Sequence, residues 1–440
     1  MGNSETRDNP DWLSQGSRTN TKGIVHMEEI AIVSAVRTPI GRYMGALRDV
    51  PAYDLAALVL NTAIEKVSIT PAGIDQVILG QCYQNGEYVN IARMSLLCAG
   101  WPVEIPGITL DRRCCSGLDA ICFGGMLIQT GQAEIVVAGG VEHMSSAEFY
   151  IPGSIKWGVG GTGDMPRGHG SLATWGMPLY DRIQRGRVMS QPIDRFGVLQ
   201  SMMVWGDKAA EEEAISREEC DLWALRAHQK AIAAIDSGIF AEEIAPVAVP
   251  QPRGEPVIVD TDETPRRDTS VERLAKLRSV LGGVSTAGNS SSENDGAAAV
   301  VLVSGNRAKE LNIEPLAYLR SFAVAGTDPI RAWLSVPKAV DKALEKAGLE
   351  IGQIELIEVQ EAFAGQLLAD LKEMGLSEAE CESKVNVNGS GISLGHPVGA
   401  TGAIRLTTLL HEMKRRNVRY GLETICGGGG LGIAAVFERK

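Results

Sequence analysis

The chain has 440 residues, of which 44% are hydrophobic and 22% are charged, and its formal net charge at pH 7 is −12. This length is sufficient for two or three domains, and the negative charge argues against a general nucleic-acid-binding protein. No uninterrupted apolar segment reaches the roughly 20 residues that a membrane span requires, so we expect none.

The eight cysteines lie in apolar segments, without CxxC spacing or paired histidines. Their distribution excludes neither disulfides nor a metal outright. It is most typical of reduced thiols in the cytoplasm, with no metal site.

The first 27 residues are polar and lack periodicity, which predicts a disordered tail. Glu5, Asp8 and Asp11 argue against a transit peptide, which would be rich in arginine and poor in acids. The first six residues fit the myristoylation pattern, but a match with so few fixed positions arises easily by chance. The folded unit is expected to begin near Glu28.

From Glu28 onward, segments typical of strands and helices alternate. Strands are predicted at Ile30–Val36, Gln76–Leu79, Ile108–Leu110 and Glu134–Ala138, and helices at Tyr53–Val67, Asn90–Ala99 and after Cys114. This alternation predicts βαβ units and a sheet covered by helices on both faces.

Cys114 and Cys115 lie where a predicted strand ends and an almost entirely apolar helix begins. Asp119 is the only charged residue between Cys114 and Gly131, so this helix is expected in the core. Free backbone N–H groups and the helix dipole at its start favour a thiolate over a thiol. The alternative is that both cysteines are small core side chains, as free cysteines usually are.

The middle of the chain has a different character. Residues 152–187 are rich in Gly, Pro, Trp and Met, which predicts a long irregular insertion. Ser216 and Glu219 form a capping box before a strong helix. A second helix is expected to start near Thr269, beside a basic cluster comprising Arg266, Arg267, Arg273, Lys276 and Arg278. That cluster is either a solvated helix face or the seat of a phosphate-bearing ligand.

After Asn289 the alternation resumes. Strands are predicted at Ala298–Val303, Leu316–Val324, Ile354–Glu358, 385–387 and Leu431–Phe437, and helices at Pro337–Ala347, Ala362–Met374 and from about Pro397 to Lys414. The order of elements resembles the first half, so the two halves look like versions of one unit.

His396 and the segment from Cys426 to Gly430 occupy junctions in the second half that mirror the Cys114 junction. If the junctions face each other, His396 can take the proton of Cys114. Four glycines after Cys426 expose backbone N–H groups, as an oxyanion hole requires. Two separated cysteines and one histidine therefore suggest a covalent step and a separate proton transfer.

From about Glu28 to its C-terminus, the chain resembles the thiolase family. The resemblance is carried by the blocks 114–117 (CCSG), 138–145 (AGGVEHMS), 286–289 (TAGN), 294–298 (NDGAA), 361–364 (EAFA), 386–389 (NVNG), 395–397 (GHP) and 426–429 (CGGG). It implies an α/β thiolase fold of two related βαβαβαββ halves, which form a layered α-β-α-β-α core with an inserted loop domain. The implied domains are residues 28–147 plus 293–315, the loop domain 148–292, and residues 316–440. It also implies a homo-oligomer, either a dimer or a dimer of dimers.

The resemblance also implies roles for individual residues. Cys114 corresponds to the acyl-accepting nucleophile, His396 to its base and a donor to the thioester oxygen, and Cys426 to the acid/base at the α-carbon. The N–H groups of Cys114 and Gly428 correspond to an oxyanion hole for the acyl-enzyme. Coenzyme A, as a co-substrate and not a tightly bound cofactor, is expected to contact Arg266, Ser291, Ala287 and Met202.

Two departures from the family pattern stand out. Gln360 replaces an asparagine that holds a water in the first oxyanion hole, and one extra methylene, about 1.5 Å, would let its amide displace that water. Met203 and Trp205, with Trp157 and Trp175 nearby in sequence, suggest a reshaped acyl pocket. A plain acetoacetyl-CoA specificity is therefore not expected.

The resulting hypothesis is a 3-ketoacyl-CoA thiolase that cleaves its substrate with coenzyme A or runs the reverse Claisen condensation, as in fatty acid metabolism. One alternative is a decarboxylating ketoacyl synthase, which would be expected to have His or Asn at the position of Cys426. Another is a non-catalytic acyl-CoA-binding subunit, against which the intact Cys114, His396 and Cys426 argue.

Overall fold

The computed structural model describes residues 28–151 and 179–440. The predicted tail, residues 1–27, lies outside this part of the chain, as do Trp157 and Trp175. The strands are β1 (Ile30–Arg37), β2 (Gly41–Arg42), β3 (Gln76–Gly80), β4 (Gly107–Leu110), β5 (Ile135–His143), β6 (Phe149–Tyr150), β7 (Tyr180–Asp181), β8 (Val247–Val249), β9 (Val257–Val259), β10 (Asn294–Ser304), β11 (Ala317–Gly326), β12 (Leu356–Val359), β13 (Tyr420–Gly427) and β14 (Leu431–Glu438).

The α-helices are α1 (Ala52–Glu65), α2 (Ile91–Cys98), α3 (Ser116–Gln129), α4 (Arg182–Val188), α5 (Ile193–Phe196), α6 (Met203–Glu213), α7 (Arg217–Asp236), α8 (Val271–Ala275), α9 (Gly305–Glu310), α10 (Ser335–Ala347), α11 (Ala364–Glu373), α12 (Glu378–Lys384), α13 (Gly391–Leu394) and α14 (Thr401–Arg416). No helix in the described ranges is both long and apolar enough to cross a membrane.

The main sheet shows that the two halves repeat one arrangement. In the first half the strands lie in the order β4-β3-β5-β10-β1, and in the second half β12-β13-β14-β11 follow the same order. Val385 completes the second series, because it forms a parallel bridge to β12 where the first half has strand β4. The halves meet through a short antiparallel pairing of β1 with β11. The predicted relationship between the halves is therefore confirmed.

Helices cover the sheet in layers. Helices α3 and α14 pack on each other between the two halves of the sheet, α1 and α2 lie on the outer face of the first half, and α10 and α11 on that of the second. Alternate strand residues serve opposite layers: Val136 and Val300 face the central helices, whereas Val137 and Val301 face α1 and α2. The predicted α-β-α-β-α layering is confirmed, and it buries the starts of α3 and α14 side by side.

Several strands differ from the prediction: β10 begins four residues early, at Asn294, and the short strands β2 and β6 to β9 were not predicted. Strand β5 continues to His143 instead of ending near Ala138, even though glycines are poor strand formers. Gly139 and Gly140 are required there, because a Cβ would lie 2.0 Å from the carbonyl oxygen of Ala298 and 2.4 Å from that of Gly399. The predicted strand 385–387 is reduced to the single bridge at Val385.

Candidate active site

One cavity of about 400 Å³ brings most of the predicted functional residues together. Of the nine residues assigned from the sequence, eight line it: Cys114, His396, Cys426, Gly428, Arg266, Ser291, Ala287 and Met202. The ninth, Gln360, does not. Residues more than 300 positions apart in the chain thus share one space, because the starts of α3 and α14 and the end of β13 meet at the same edge of the layers.

Cys114 lies in the tight turn between β4 and α3. Arg113, directly before it, has a left-handed backbone with φ of 56°, and Cys115, directly after it, is the N-cap residue of α3. The backbone N–H groups of Gly428 and Cys114 are close enough to the Cys114 thiol to act to lower its pKa. Two N–H donors therefore converge on the position where a sulfur-linked group would develop negative charge.

The resting form of Cys114 is a thiol. Burial raises the pKa of Cys114 to about 11, although the N–H of Gly428 and the guanidinium of Arg113 both act to lower it. The expectation of a thiolate at rest is therefore wrong, because desolvation of the charged form outweighs the donors around it. Nucleophilic attack then requires a base that takes the proton.

This pKa predicts how Cys114 reacts with an alkylating agent. Only the thiolate reacts, so its fraction, and the rate of Cys114 alkylation by iodoacetamide, should rise about tenfold per pH unit from pH 6 to 9. Mass spectrometry of the digested protein measures the rate at this residue. A plateau at or below pH 8 would contradict the high pKa and would indicate a preformed thiolate–imidazolium pair.

His396 is a neutral imidazole with its lone pair available. Burial, followed by the charges of Arg405 and Arg187, lowers the pKa of His396 to about 3. The Thr401 hydroxyl donates to the carbonyl oxygen of Pro397 (3.0 Å), so towards His396 Nδ1 (2.6 Å) it accepts a hydrogen bond. The proton of the ring is thus on Nδ1, and unprotonated Nε2 is the nitrogen that can act as a base.

Two further side chains fix the backbone around His396. Asn294 Oδ1 accepts from the N–H of His396 (2.9 Å), and Arg405 Nη2 donates to the carbonyl oxygen of Gly395 (2.7 Å). Sequence reasoning assigned no role to Asn294, Thr401 or Arg405. The sequence did contain one signal that could have identified Thr401 and Arg405. Polar residues recur in α14 at positions 401, 405, 408 and 412, which places one polar stripe along an otherwise buried helix.

Cys426, near the end of β13, supplies the second thiol of the cavity. It is buried, and burial raises its pKa well above the ordinary value, so it is protonated and can donate a proton. Cys115 lies next to Cys114 in sequence but has a different environment. Its thiol is fully buried, does not line the cavity, and donates to the carbonyl oxygen of Ile425 (3.4 Å).

Gln360 lies behind the cavity wall. Its Oε1 accepts from Arg405 Nε (3.3 Å), and its Nε2 packs so closely on Gly391 that a Cβ there would be 2.3 Å away. The sequence suggested that this amide would act on a thioester directly; in the structure Arg405 and Gly391 hold it behind the lining of the cavity. Within the described ranges Nε2 has no hydrogen-bond partner.

Glu142 holds the loops of both halves together beside the cavity. Its carboxyl accepts from the N–H groups of Cys82 (3.0 Å), Tyr83 (3.1 Å) and Gly399 (2.8 Å). Burial raises the pKa of Glu142 to about 7, opposed by these three donors. Glu142 thus fixes the segment after β3 against the segment that follows His396.

An adjoining cavity, which we call the basic mouth, is lined by Arg42, Arg266 and the Arg273–Asp268 ion pair among others. It shares Arg266, Ala287, Ser290, Ser292 and Glu293 with the main cavity. Arg267 of the predicted basic cluster is neutralised by Asp236, so Arg42 and Arg266 are the arginines of the mouth without an ion pair in the described part of the chain. Helix α8 has only five residues and is capped by Ser270.

Met203 and Trp205 also line the main cavity. Both belong to α6, which packs on α11 and so sits against Phe363 and Ala362. The wall formed by these side chains is apolar, which is what an acyl or pantetheine chain requires. No group of three or more His, Cys, Asp or Glu suited to a metal ion occurs within residues 28–151 and 179–440.

Known proteins of one family resemble the whole folded chain. Residues 30–306 match the family model described as thiolase, N-terminal domain, and residues 313–439 match thiolase, C-terminal domain. The acetyl-CoA acetyltransferase of Pseudomonas aeruginosa is 43% identical over 415 residues, which cover 94% of this chain and 100% of the relative.

Two solved structures extend the comparison. The Bacillus anthracis acetyl-CoA acetyltransferase superposes with a TM-score of 0.85 at 39% identity, covering 94% of this chain and 99% of its own. Human mitochondrial 3-ketoacyl-CoA thiolase in complex with CoA superposes with a TM-score of 0.83 at 34% identity, covering 94% and 98%.

Proposed function

The chain belongs to the thiolase family and is an acyltransferase, and we propose that Cys114 is its acyl-accepting nucleophile. The reaction is cleavage of a 3-ketoacyl-CoA by coenzyme A into acetyl-CoA, or another short acyl-CoA, and a shortened acyl-CoA, or the reverse condensation. This assignment is supported by the convergence of Cys114, His396 and Cys426 on one cavity, where the N–H groups of Gly428 and Cys114 act to lower the pKa of the Cys114 thiol.

The first half of the reaction transfers the acyl group to the protein. His396 Nε2 takes the proton of Cys114, and the sulfur adds to the 3-keto carbon. The bond between C2 and C3 breaks, and the departing enolate takes a proton from Cys426, which yields the first acyl-CoA. The N–H groups of Cys114 and Gly428 stabilise the negative oxygen on the acyl carbon.

The second half releases the acyl group. Coenzyme A enters as a thiol, and its proton passes to the Cys426 thiolate left by the first half. Its sulfur attacks the thioester, and Cys114 leaves and recovers its proton from His396. Each catalytic group thus returns to its starting protonation state.

Coenzyme A is proposed to enter through the basic mouth. Arg266 lines both cavities, so its charge can meet a phosphate while Ala287, Ser291 and Met202 contact the pantetheine chain. We assign Gln360 an indirect role, in which its unpartnered Nε2 holds a water behind the thioester oxygen. The supporting observation is the burial of that amide beside Arg405.

We also propose that the protein forms a homo-oligomer and works in a reducing compartment such as the cytoplasm. Strand β4 lies at the edge of the main sheet, and the exposed apolar side chains Leu97, Val103 and Met126 belong to the segments that flank it. An uncovered sheet edge with apolar neighbours favours association with a second copy. All eight cysteines are unpaired, which supports a reducing environment.

A trapped intermediate tests the assignment of Cys114. Incubation with an acyl-CoA in the absence of free coenzyme A should add the mass of one acyl group to the peptide that contains Cys114. Fragmentation by mass spectrometry then locates the group among Cys114, Cys115 and Cys122. An unmodified peptide, or an acyl group on Cys115, would refute the proposed nucleophile. The same result would also exclude a decarboxylating synthase that uses Cys114.

A further inference from the structure

One wall of the main cavity is polar and lies away from the basic mouth. It consists of Cys82, Tyr83, Arg113 and Gly186, which line the main cavity but not the adjoining one. These residues are mutually close: Arg113 Nη1 lies 3.7 Å from Cys82 Sγ, and a Cβ on Gly186 would lie 3.9 Å from Arg113 Nη1. We call this set the arginine wall. Its charge is therefore separate from the charges proposed to meet the phosphates of coenzyme A.

The arginine wall is close to the reacting sulfur. Arg113 directly precedes Cys114, and a Cβ on Gly428, whose N–H acts to lower the pKa of the Cys114 thiol, would lie 3.6 Å from Arg113 Cγ. The Arg113 side chain thus runs from the oxyanion donors towards Cys82 and Gly186. A group attached to Cys114 has the Arg113 guanidinium within reach.

The guanidinium of Arg113 forms no ion pair in the described part of the chain, although the nearby Asp111 carboxylate stabilises its charge. No carboxylate oxygen there lies within 4.0 Å of its guanidinium, and its side-chain contact is the thiol of Cys82. Burial raises the pKa of that thiol well above its ordinary value, so it carries no charge. Arg187, on the same side of the cavity, differs because Glu293 neutralises it at 2.7 Å.

A half-buried arginine without an ion pair lowers the stability of the folded protein unless a ligand binds to it. A half-buried guanidinium without a directly paired anion gives up hydrogen bonds to water, and its fork of donors is left open to a ligand carboxylate. The left-handed φ of 56° at Arg113 adds backbone strain, since this residue is not glycine. Unpaired charge and backbone strain at the same residue, facing a cavity, are typical of ligand-binding positions.

We propose that the acyl pocket takes an acyl chain that ends in a carboxylate, and that the Arg113 guanidinium binds this carboxylate. A planar guanidinium matches a carboxylate with two parallel hydrogen bonds. Because Arg113 neighbours Cys114, only a few methylenes separate the thioester carbon from the carboxylate. The substrate class is then a short 3-ketoacyl-CoA with a terminal carboxylate. This inference rests on the proposed thiolytic function.

Matched substrates test the inference. Thiolysis is measured for a 3-ketoacyl-CoA with a terminal carboxylate and for its methyl ester, and kcat/KM is compared. The carboxylate is expected to be preferred at least about tenfold. Arg113→Met should abolish this preference, and Arg113→Lys should reduce it less, because the charge remains without the fork geometry. Arg185→Gln is the matched control, since Arg185 shares α4 with Arg187 but does not line the cavity.

The outcomes separate this inference from the proposed function. Equal use of both substrates by the unaltered protein would overturn it, whether or not the Arg113 variants fold. An equal fall for both substrates in Arg113→Met would also overturn it, and would show that Arg113 acts only by lowering the pKa of Cys114. No thiolysis of any 3-ketoacyl-CoA, with no acyl group on Cys114, would instead refute the proposed function.

Discussion

Replacement of Cys114 by serine is expected to lower both carbon–carbon cleavage and acyl exchange by at least about 10⁴-fold. Both reactions pass through the same acyl-sulfur bond, so no route remains when the sulfur is removed. A serine hydroxyl is a much weaker acid than a thiol, and neutral His396 is a weak base because burial lowers its pKa to about 3. His396, which is proposed to take the proton of Cys114, therefore cannot deprotonate serine at a useful rate.

Cys115→Ala is the matched control for this prediction. Cys115 is the adjacent residue and also a cysteine, but its thiol contacts the carbonyl oxygen of Ile425 and does not line the cavity. Rates of thiolysis and of exchange between an acyl-CoA and labelled coenzyme A are measured for both variants, with circular dichroism to confirm folding. A folded Cys114→Ser variant that keeps either activity, or a Cys115→Ala variant that loses both, would reverse the assignment of the two thiols.

Much of the fold was predictable because its periodicities are local. The alternation of short apolar strands with amphipathic or apolar helices gave the βαβ units, and the order of elements gave the repeat of the two halves. The prediction failed at Gly139 and Gly140, which were interpreted as the end of a strand. Their presence in β5 depends on how closely Ala298 and Gly399 approach, and a tertiary contact of this kind leaves no local signal.

That Cys114, His396 and Cys426 share one cavity was predictable from the sequence, whereas their protonation states were not. A cysteine at a strand-to-helix junction suggests a thiolate on local grounds, since the helix dipole acts within one turn. The pKa of Cys114 depends instead on desolvation by both halves of the chain, which raises it to about 11. Similarly, the extra methylene of Gln360 suggested reach towards the thioester, but Arg405 and Gly391 determine where that amide lies.

Two roles are open to Arg113: stabilising the Cys114 thiolate, or binding an anionic group of the substrate. If its charge served the Cys114 thiol alone, the pKa of that thiol would be expected below its ordinary value. It is instead raised to about 11, because burial outweighs the effect of Arg113. The resting thiol therefore does not explain why a guanidinium lies in the acyl pocket. A substrate with an anionic group explains it better. Arg187, in contrast, is already neutralised by Glu293.

Cys426→Ala is expected to keep acyl exchange and to lower carbon–carbon cleavage by about 10²- to 10⁴-fold. Formation of the acyl-enzyme from a simple acyl-CoA releases a thiolate, which water can protonate. Cleavage of a 3-ketoacyl-CoA releases a carbon acid instead, and a positioned proton donor is then needed. Cys426 is suited to this role, because burial keeps its thiol protonated and it shares the cavity with Cys114.

Comparison of the two rates in one variant makes this prediction specific to Cys426. Acyl exchange is followed with labelled coenzyme A and cleavage with a 3-ketoacyl-CoA, and their ratio should fall in Cys426→Ala only. Cys381→Ala is the control, since Cys381 is also a buried thiol of the second half but lies in α12, outside the cavity lining. Full cleavage activity in Cys426→Ala would reject the assigned proton transfer. An equal loss of both activities in a folded Cys426→Ala would show that this thiol shapes the pocket for the acyl group and does not serve the carbon acid.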